Sequence, residues 1–417
     1  MLKKSVIKSL EAREILDSRG VPTIEVKLAS SQGIFTASVP SGTSTGKNEA
    51  FELRDGGRRY AGKGVLKAVD NINRIIGPAI KGKDAKNQEK LDLIMVNLDG
   101  TENKFKLGAN AILAVSIAIC RAGAAGCNLP LYKYISKLCK NSRSITLPQP
   151  SLLMIEGGRH AGNKLDFQEF MVLPQCPSFG EQLRAGTEIY HNLKIILERK
   201  INKDSVNTGL EGGYAVPVLE SSEQTLGLIM EAIKNSGSDG NVRIAIDAAA
   251  SSFYSMGKYN FEGRQMEGQE LLGLYAGLCK KYPIFLIEDP FNEEDEEGFK
   301  RIMEKLGDKI KIGGDDFLNT NPEKIKMAAE RKTCNSLTLK PNQIGTVTEA
   351  IRASELAKKN NWNVMASHRS GETSDDFIAD FAVGVGADSI KAGAPARGER
   401  VAKYNRLLEI EEEIIKR

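Results

Sequence analysis

One tryptophan, three histidines and six cysteines in 417 residues leave little room for several large function classes. The cysteines, Cys120, Cys127, Cys139, Cys176, Cys279 and Cys334, never form a C-x-x-C pair. That speaks against a zinc or disulfide framework and for reduced, mostly buried thiols. Neither G-x-G-x-x-G nor H-E-x-x-H occurs, and no solenoid-type repeat is present. Acids and bases interleave, 58 Lys+Arg against 54 Asp+Glu, so no basic patch for nucleic acid stands out. Long apolar runs are missing as well. The most apolar stretch, 107–120, meets Arg121 before the ~18–20 residues of a membrane span. Charges run through the opening MLKKSVIKSLEAREI, where a signal peptide needs an apolar core. Neither a nucleic-acid nor a membrane partner is expected, and the cytoplasm is the default compartment. What remains is the make-up of a soluble globular protein, 41% hydrophobic and 27% charged. A length of 417 suits one small domain beside a barrel of about 250 residues.

The pattern along the chain divides it in two. Residues 23–28 (TIEVKL) and 33–39 (GIFTASV) alternate apolar and polar side chains, as half-buried strands do. A Ser/Gly loop at 41–46 follows, then helical patterns that include the Ala-rich 108–126. Around 140–150 the chain turns polar and is punctuated by proline, which predicts a boundary between domains 1–140 and 141–417. In the second part, short apolar runs each end on a polar or charged residue: Asp247, Glu288, Asp315, Lys340, His368 and Lys391. They follow one another at intervals of 23 to 41 residues, near the ~30 of a strand-loop-helix unit. The expected fold is α/β, a C-terminal (β/α)8-type barrel preceded by a smaller α+β N-terminal domain. Polar residues at successive strand ends of such a barrel converge on one mouth.

Those strand ends carry chemistry. One acid closing an apolar run is an ordinary N-cap or loop carboxylate. Three at successive ends, Asp247, Glu288 and Asp315, form the hard oxygen set that suits Mg²⁺. Lys340 and Lys391 close runs of their own. A cation and a second ammonium nearby would lower a lysine's pKa enough for a neutral amine to act as base. Arg369 and Ser370, a planar fork beside a hydroxyl, make a phosphate clamp. Of the histidines, His191 lies in a helical pattern and reads as a surface or packing residue. His160 and His368 lie in Gly- and Ser-rich loops, where imidazoles serve function more often. Glu169 and Glu211 are candidate acids. The 41–46 loop fails the P-loop template, because Gly42 and Gly46 enclose three residues and Asn48 follows Lys47. It reads as a mobile flap.

Taken together, the strings AREILDSRG, SGTSTGKNEAFELRDG, HAGNKLDFQEFM, LEGGYA, IEDPF, LKPNQIGT, SHRSGET and IKAGAPARGERVAKYNRLLEIEEE closely resemble the enolase family, nearly end to end. The LKPNQIGT form is similar to archaeal members. The resemblance implies reversible, Mg²⁺-dependent dehydration of 2-phospho-D-glycerate to phosphoenolpyruvate in glycolysis and gluconeogenesis, with two Mg²⁺ per site. It implies Asp247, Glu288 and Asp315 as ligands of one metal, and Ser44 in the flap for the other. By the same likeness Lys340 is the base and Glu211 the acid. Gln168, Lys340, Arg369, Ser370 and Lys391 contact substrate, while Glu169, His160 and His368 complete the site. A homodimer or larger homo-oligomer is also implied. Two other outcomes stay open: an enolase-like enzyme for another carboxylate substrate, or a non-catalytic binding protein of enolase descent. The chain departs from the family at Glu156, usually Asn, and Leu210, usually Asp. Leu210 is expected to pack inward, and Glu156, if it faces the same cavity, to replace part of the lost charge.

Overall fold

The computed structural model describes residues 4–43, 46–139 and 145–416. The chain opens on an antiparallel meander of β1 (Ile7–Leu16), β2 (Pro22–Ser30) and β3 (Gly33–Ser38). The last two coincide with the alternating runs. Strand β1 escapes the pattern because only Ile7 and Ala12 along it are buried. Helix Ala109–Gly126 packs on β2 and β3. It continues through Arg121, so that residue does not end the apolar segment as the sequence reading assumed. The helix is long and apolar enough to cross a membrane, yet 89% of it is buried inside the protein. Arg121 finds its counter-charge in the second half of the chain, donating to Asp375 Oδ2 at 2.7 Å and Oδ1 at 2.8 Å.

That second half closes into an eight-stranded barrel. Its strands are β4 (Gln149–Glu156), β5 (Glu169–Pro174) and β6 (Val242–Asp247). After a small antiparallel sheet of β7 (Tyr254–Ser255), β8 (Lys258–Phe261) and β9 (Arg264–Met266) come β10 (Ile284–Glu288) and β11 (Lys311–Gly314). Strands β12 (Ser336–Leu339), β13 (Asn363–Ser367) and β14 (Ser389–Lys391) complete the ring, with β14 pairing β4. Seven barrel strands are mutually parallel, but β5 runs antiparallel to both β4 and β6. The cause is local. Residues 157–168 contain one 3₁₀ turn, Gly158–His160, and a parallel return needs a crossover, usually with a helix.

The register puts the functional rim on one level. Asp247 pairs with Glu288 and with Glu169, Glu169 pairs with Glu156, and Ser367 pairs with Lys391. Parallel strands bring their C-terminal ends to this rim, while β5 brings its N-terminal end. The N-terminal unit is pinned over it. Ser41 and Gly371 exchange backbone hydrogen bonds of 2.8 and 2.9 Å, and Asp92 Oδ2 caps the barrel helix Val347–Lys359 through Thr348 N at 3.0 Å.

Candidate active site

One small cavity at the mouth, of about 20 Å³, is lined by His160, Gln168, Glu169, Glu211, Asp247 and Lys340. Arg369, Ser370, Lys391 and His368 complete the wall, with Gly42 of the flap above. Glu288 and Asp315 are reached through the two lysines. Lys391 Nζ lies 3.2 Å from Glu169 Oε2, 3.1 Å from Asp247 Oδ2 and 2.9 Å from Glu288 Oε1. Lys340 pairs with Asp315, whose other oxygen accepts from Gln343 Nε2 at 2.8 Å. Burial disfavours the charge on each lysine, but the carboxylates win. Asp315 raises Lys340, and Asp247, Glu169 and Glu288 raise Lys391 well above the ordinary lysine value. Lys340 is thus raised by Asp315 against burial, Lys391 and Arg369, which all pull it down.

The donor chemistry fits a divalent cation. Four buried carboxylates, Glu169, Asp247, Glu288 and Asp315, share only two ammonium groups. The shortfall of positive charge is felt at Glu288, which burial and the adjacent Asp247 push up to about 8 against the pull of Lys391. All these donors are oxygens, the set Mg²⁺ prefers. Asp315 groups within 4.8 Å with Asp289 and Asp316, whereas Asp247 and Glu288 meet at Lys391. Asp289 sets that end of β11 by accepting from Asp315 N at 2.9 Å and Asp316 N at 2.8 Å.

Across the cavity, ligand atoms of His160, Glu169 and Glu211 lie within 4.8 Å of one another. His160 Nδ1 is 3.5 Å from Glu211 Oε1 and 3.7 Å from Glu169 Oε1. His368 Nε2 is 3.0 Å from Glu211 Oε2. These two acids diverge. Burial drives Glu169 well above the usual carboxylate range, despite Lys391. Burial pushes Glu211 the same way, but His368, His160 and Arg400 outweigh it and hold Glu211 well below that range. Beneath them, Glu156 is fully buried and accepts from Glu211 N at 3.0 Å and Gly213 N at 2.7 Å. Burial, with Glu211 nearby, raises it to about 8.

At the flap end, Arg369 forks onto Glu49, Nη1 to Oε2 at 3.0 Å and Nη2 to Oε1 at 3.2 Å. Ser370 Oγ accepts from Thr43 N at 2.8 Å. A guanidinium and a hydroxyl thus converge on one carboxylate-bearing loop, as an anion clamp would.

Residues 144–417 match the family described as enolase, C-terminal TIM barrel domain, and residues 7–135 match enolase, N-terminal domain. The chain belongs to the enolase family. It is 51% identical to Enolase B of Dictyostelium discoideum over 98% of this chain and 95% of that protein. It is also 51% identical to the enolase of Solanum lycopersicum, over 98% and 96%, and 50% identical to that of Mastigamoeba balamuthi over the same shares.

Set on an enolase frame, the sequence-derived residues divide cleanly. All but Ser44 meet at or directly behind the cavity wall, and Ser44 lies outside the described residues. His191 is exposed on helix Phe179–Lys200. Leu210 does not pack inward. It stays half-buried at the rim. Nor does Glu156 supply the missing charge to the cavity, since its carboxyl is spent on backbone N–H groups below the Glu211 loop. Four residues that matter escaped the sequence reading: Glu49, Asp289, Gln343 and Arg400. Asp289 adjoins Glu288 at a strand end and was legible there. The other three lie in helices or loops where no spacing singles them out.

Proposed function

We propose that the residues of this cavity carry out the enolase reaction in the following roles. The protein is a hydro-lyase of the phosphopyruvate hydratase type, interconverting 2-phospho-D-glycerate and phosphoenolpyruvate. The single observation that carries the roles is that one cavity presents Lys340 and Glu211 together with the Arg369–Ser370 pair. Lys340 takes the C2 proton, and Glu211 donates a proton to the departing 3-hydroxyl. Lys391 faces the charge that builds on the substrate carboxylate. Arg369 and Ser370 hold the phosphate, and Gln168, whose buried Oε1 takes no hydrogen bond from the described residues, contacts substrate. Glu169, His160 and His368 surround the acid.

Asp247, Glu288 and Asp315 would hold Mg²⁺, and Ser44 a second ion. When bound, these cations supply Lewis-acid stabilisation of the enolate-like charge. The charge shortfall among the buried carboxylates supports this reading. Glu211 is ionised in the substrate-free cavity. An anionic substrate beside it favours the protonated form, which readies it as an acid only when substrate is present. Lys340 must likewise leave Asp315 and give up one proton, becoming the neutral amine, before it can accept the C2 proton.

A division into units 1–140 and 141–417 is supported by the gap between the two family matches, 135 to 144. Homo-oligomerisation, as a dimer or larger, rests on the family resemblance, and a cytoplasmic setting on the charged opening segment. The test is direct: follow phosphoenolpyruvate absorbance after adding 2-phospho-D-glycerate, with Mg²⁺ and after chelation. Turnover with Mg²⁺ alone is expected. Absence of turnover under both conditions would favour the enolase-derived binding protein, and turnover of another carboxylate instead would favour the paralogue.

A further inference from the structure

Arg400 lies on the first turn of helix Gly398–Ile415 and is fully buried. Its guanidinium joins two segments of the site, 368–370 and the loop of Leu210. Nη1 contacts His368 Nδ1 at 2.8 Å and donates to Arg369 O at 2.6 Å. Nη2 donates to Ser370 O at 2.6 Å and Leu210 O at 3.1 Å. A guanidinium has donors only and does not lose its proton in a protein. The nitrogen it meets on His368 must therefore be an acceptor. That leaves Nε2 as the protonated nitrogen, and Nε2 is the one standing 3.0 Å from Glu211 Oε2.

We propose that Arg400 is a positioning residue that locks His368 as the neutral Nε2–H tautomer and thereby assigns proton handling by Glu211 to Oε1. His368 Nε2 stands 3.0 Å from Oε2, which takes no aligned hydrogen bond from the described residues; a small turn of the ring would let Nε2–H donate there, leaving Oε1 for a proton arriving on the carboxyl. Oε1 is the atom that faces His160 Nδ1 at 3.5 Å. His160 Nδ1 is itself buried and takes no hydrogen bond from the described residues. Protonating His368 would set an N–H of Nδ1 against an N–H of Arg400, so the imidazole is barred from taking up the acid's proton. Burial agrees, holding His368 down to about 4. The same side chain ties Leu210 O to Ser370 O, which keeps the acid loop and the Arg369–Ser370 loop in one relative position. The tautomer part of the proposal stands on geometry alone. The Oε1 part rests on Glu211 being the acid.

Long-range ¹H–¹⁵N NMR of the intact protein reads the tautomer without substrate. With three histidines in the chain, a His368→Gln spectrum assigns the signal. Wild type should show His368 as one Nε2–H tautomer, and an Nδ1–H tautomer there would overturn the proposal without any Arg400 variant. In Arg400→Met, which offers Nδ1 no donor, the Nδ1–H form should appear, and in Arg400→Lys the Nε2–H form should persist. An unchanged tautomer in Arg400→Met would overturn the lock. For the Oε1 assignment, Arg400→Met should slow dehydration by about 10²-fold, as misplaced catalytic groups do, while exchange of the substrate C2 proton with solvent stays near the wild-type rate. Equal losses in both steps would reduce Arg400 to a structural strut. A wild-type protein with the expected tautomer but no dehydration would leave the lock standing and overturn the functional reading.

Discussion

The two walls of the cavity are built from the same side chain, the carboxylate, and treat it in opposite ways. On the Lys340–Lys391 wall, acids are balanced by ammonium groups: Lys391 holds Asp247, Glu169 and Glu288, and Lys340 holds Asp315. On the Glu211 wall the partners are imidazoles, backbone N–H groups and one guanidinium. The first wall leaves a deficit of positive charge that suits a metal. The second sets two neighbouring acids apart, with Glu156 raised and Glu211 lowered. Acid–base pairs are recognised by neighbours that push pKa values apart. The difference lies in what each acid touches, since all of them are buried.

The largest effect expected from breaking this contrast is at Lys340. Lys340→Ala should slow C2-proton exchange of 2-phospho-D-glycerate by about 10²–10⁴-fold while circular dichroism stays unchanged. Exchange at the wild-type rate would place the base elsewhere.

Lys391→Met removes the ammonium common to three buried acids. Breaking a buried ion pair from one side costs about 3–5 kcal/mol, so urea unfolding of the metal-free protein should shift by that order. Mg²⁺ should recover part of the loss in Lys391→Met, and Mg²⁺ that stabilises wild type but not the variant would show that the cation needs Lys391 in place.

Glu156→Gln tests the other wall and keeps an acceptor for the two N–H groups. The folded pKa of Glu156, about 8, lies above its ordinary 4.5. The folded state therefore holds a proton that the unfolded state has lost across that window. Stability contributed by this group is present below about pH 4.5 and falls as pH rises toward 8. Glu156→Gln should match wild type near pH 4.5 and exceed it by about 3 kcal/mol at pH 7. A gap that does not widen with pH would mean that Glu156 is ionised in the folded protein, like Glu211.

The smallest effect is expected at Leu210. It is half-buried and its backbone oxygen, not its side chain, is what Arg400 holds. Leu210→Asp should change stability by no more than about 0.5 kcal/mol. A larger shift in thermal unfolding would show that the rim packs more tightly than this.

Much of the cavity was legible because barrel strands end abruptly. An apolar run that stops at Asp247, Glu288 or Lys391 marks both a strand and a rim position, and the barrel closes those rims into a ring. Strand β1 was not legible, since an exposed strand with two buried side chains has no alternation to detect. The reversal of β5 was hidden for a related reason: direction is not written in a run of apolar residues, only in the length of the connection before it.

The sequence by itself determined which functional groups exist and which strand ends they occupy, because hydrophobic periodicity and chain order are local properties. Tertiary structure decided the state of each group. Whether a carboxylate carries a proton, whether Lys340 is held by Asp315, and which nitrogen of His368 is an acceptor all depend on partners from 25 to 222 residues away. The physical reason is that burial removes water as the common partner. The charge and tautomer of each side chain are then set by the few groups that folding places within hydrogen-bond reach.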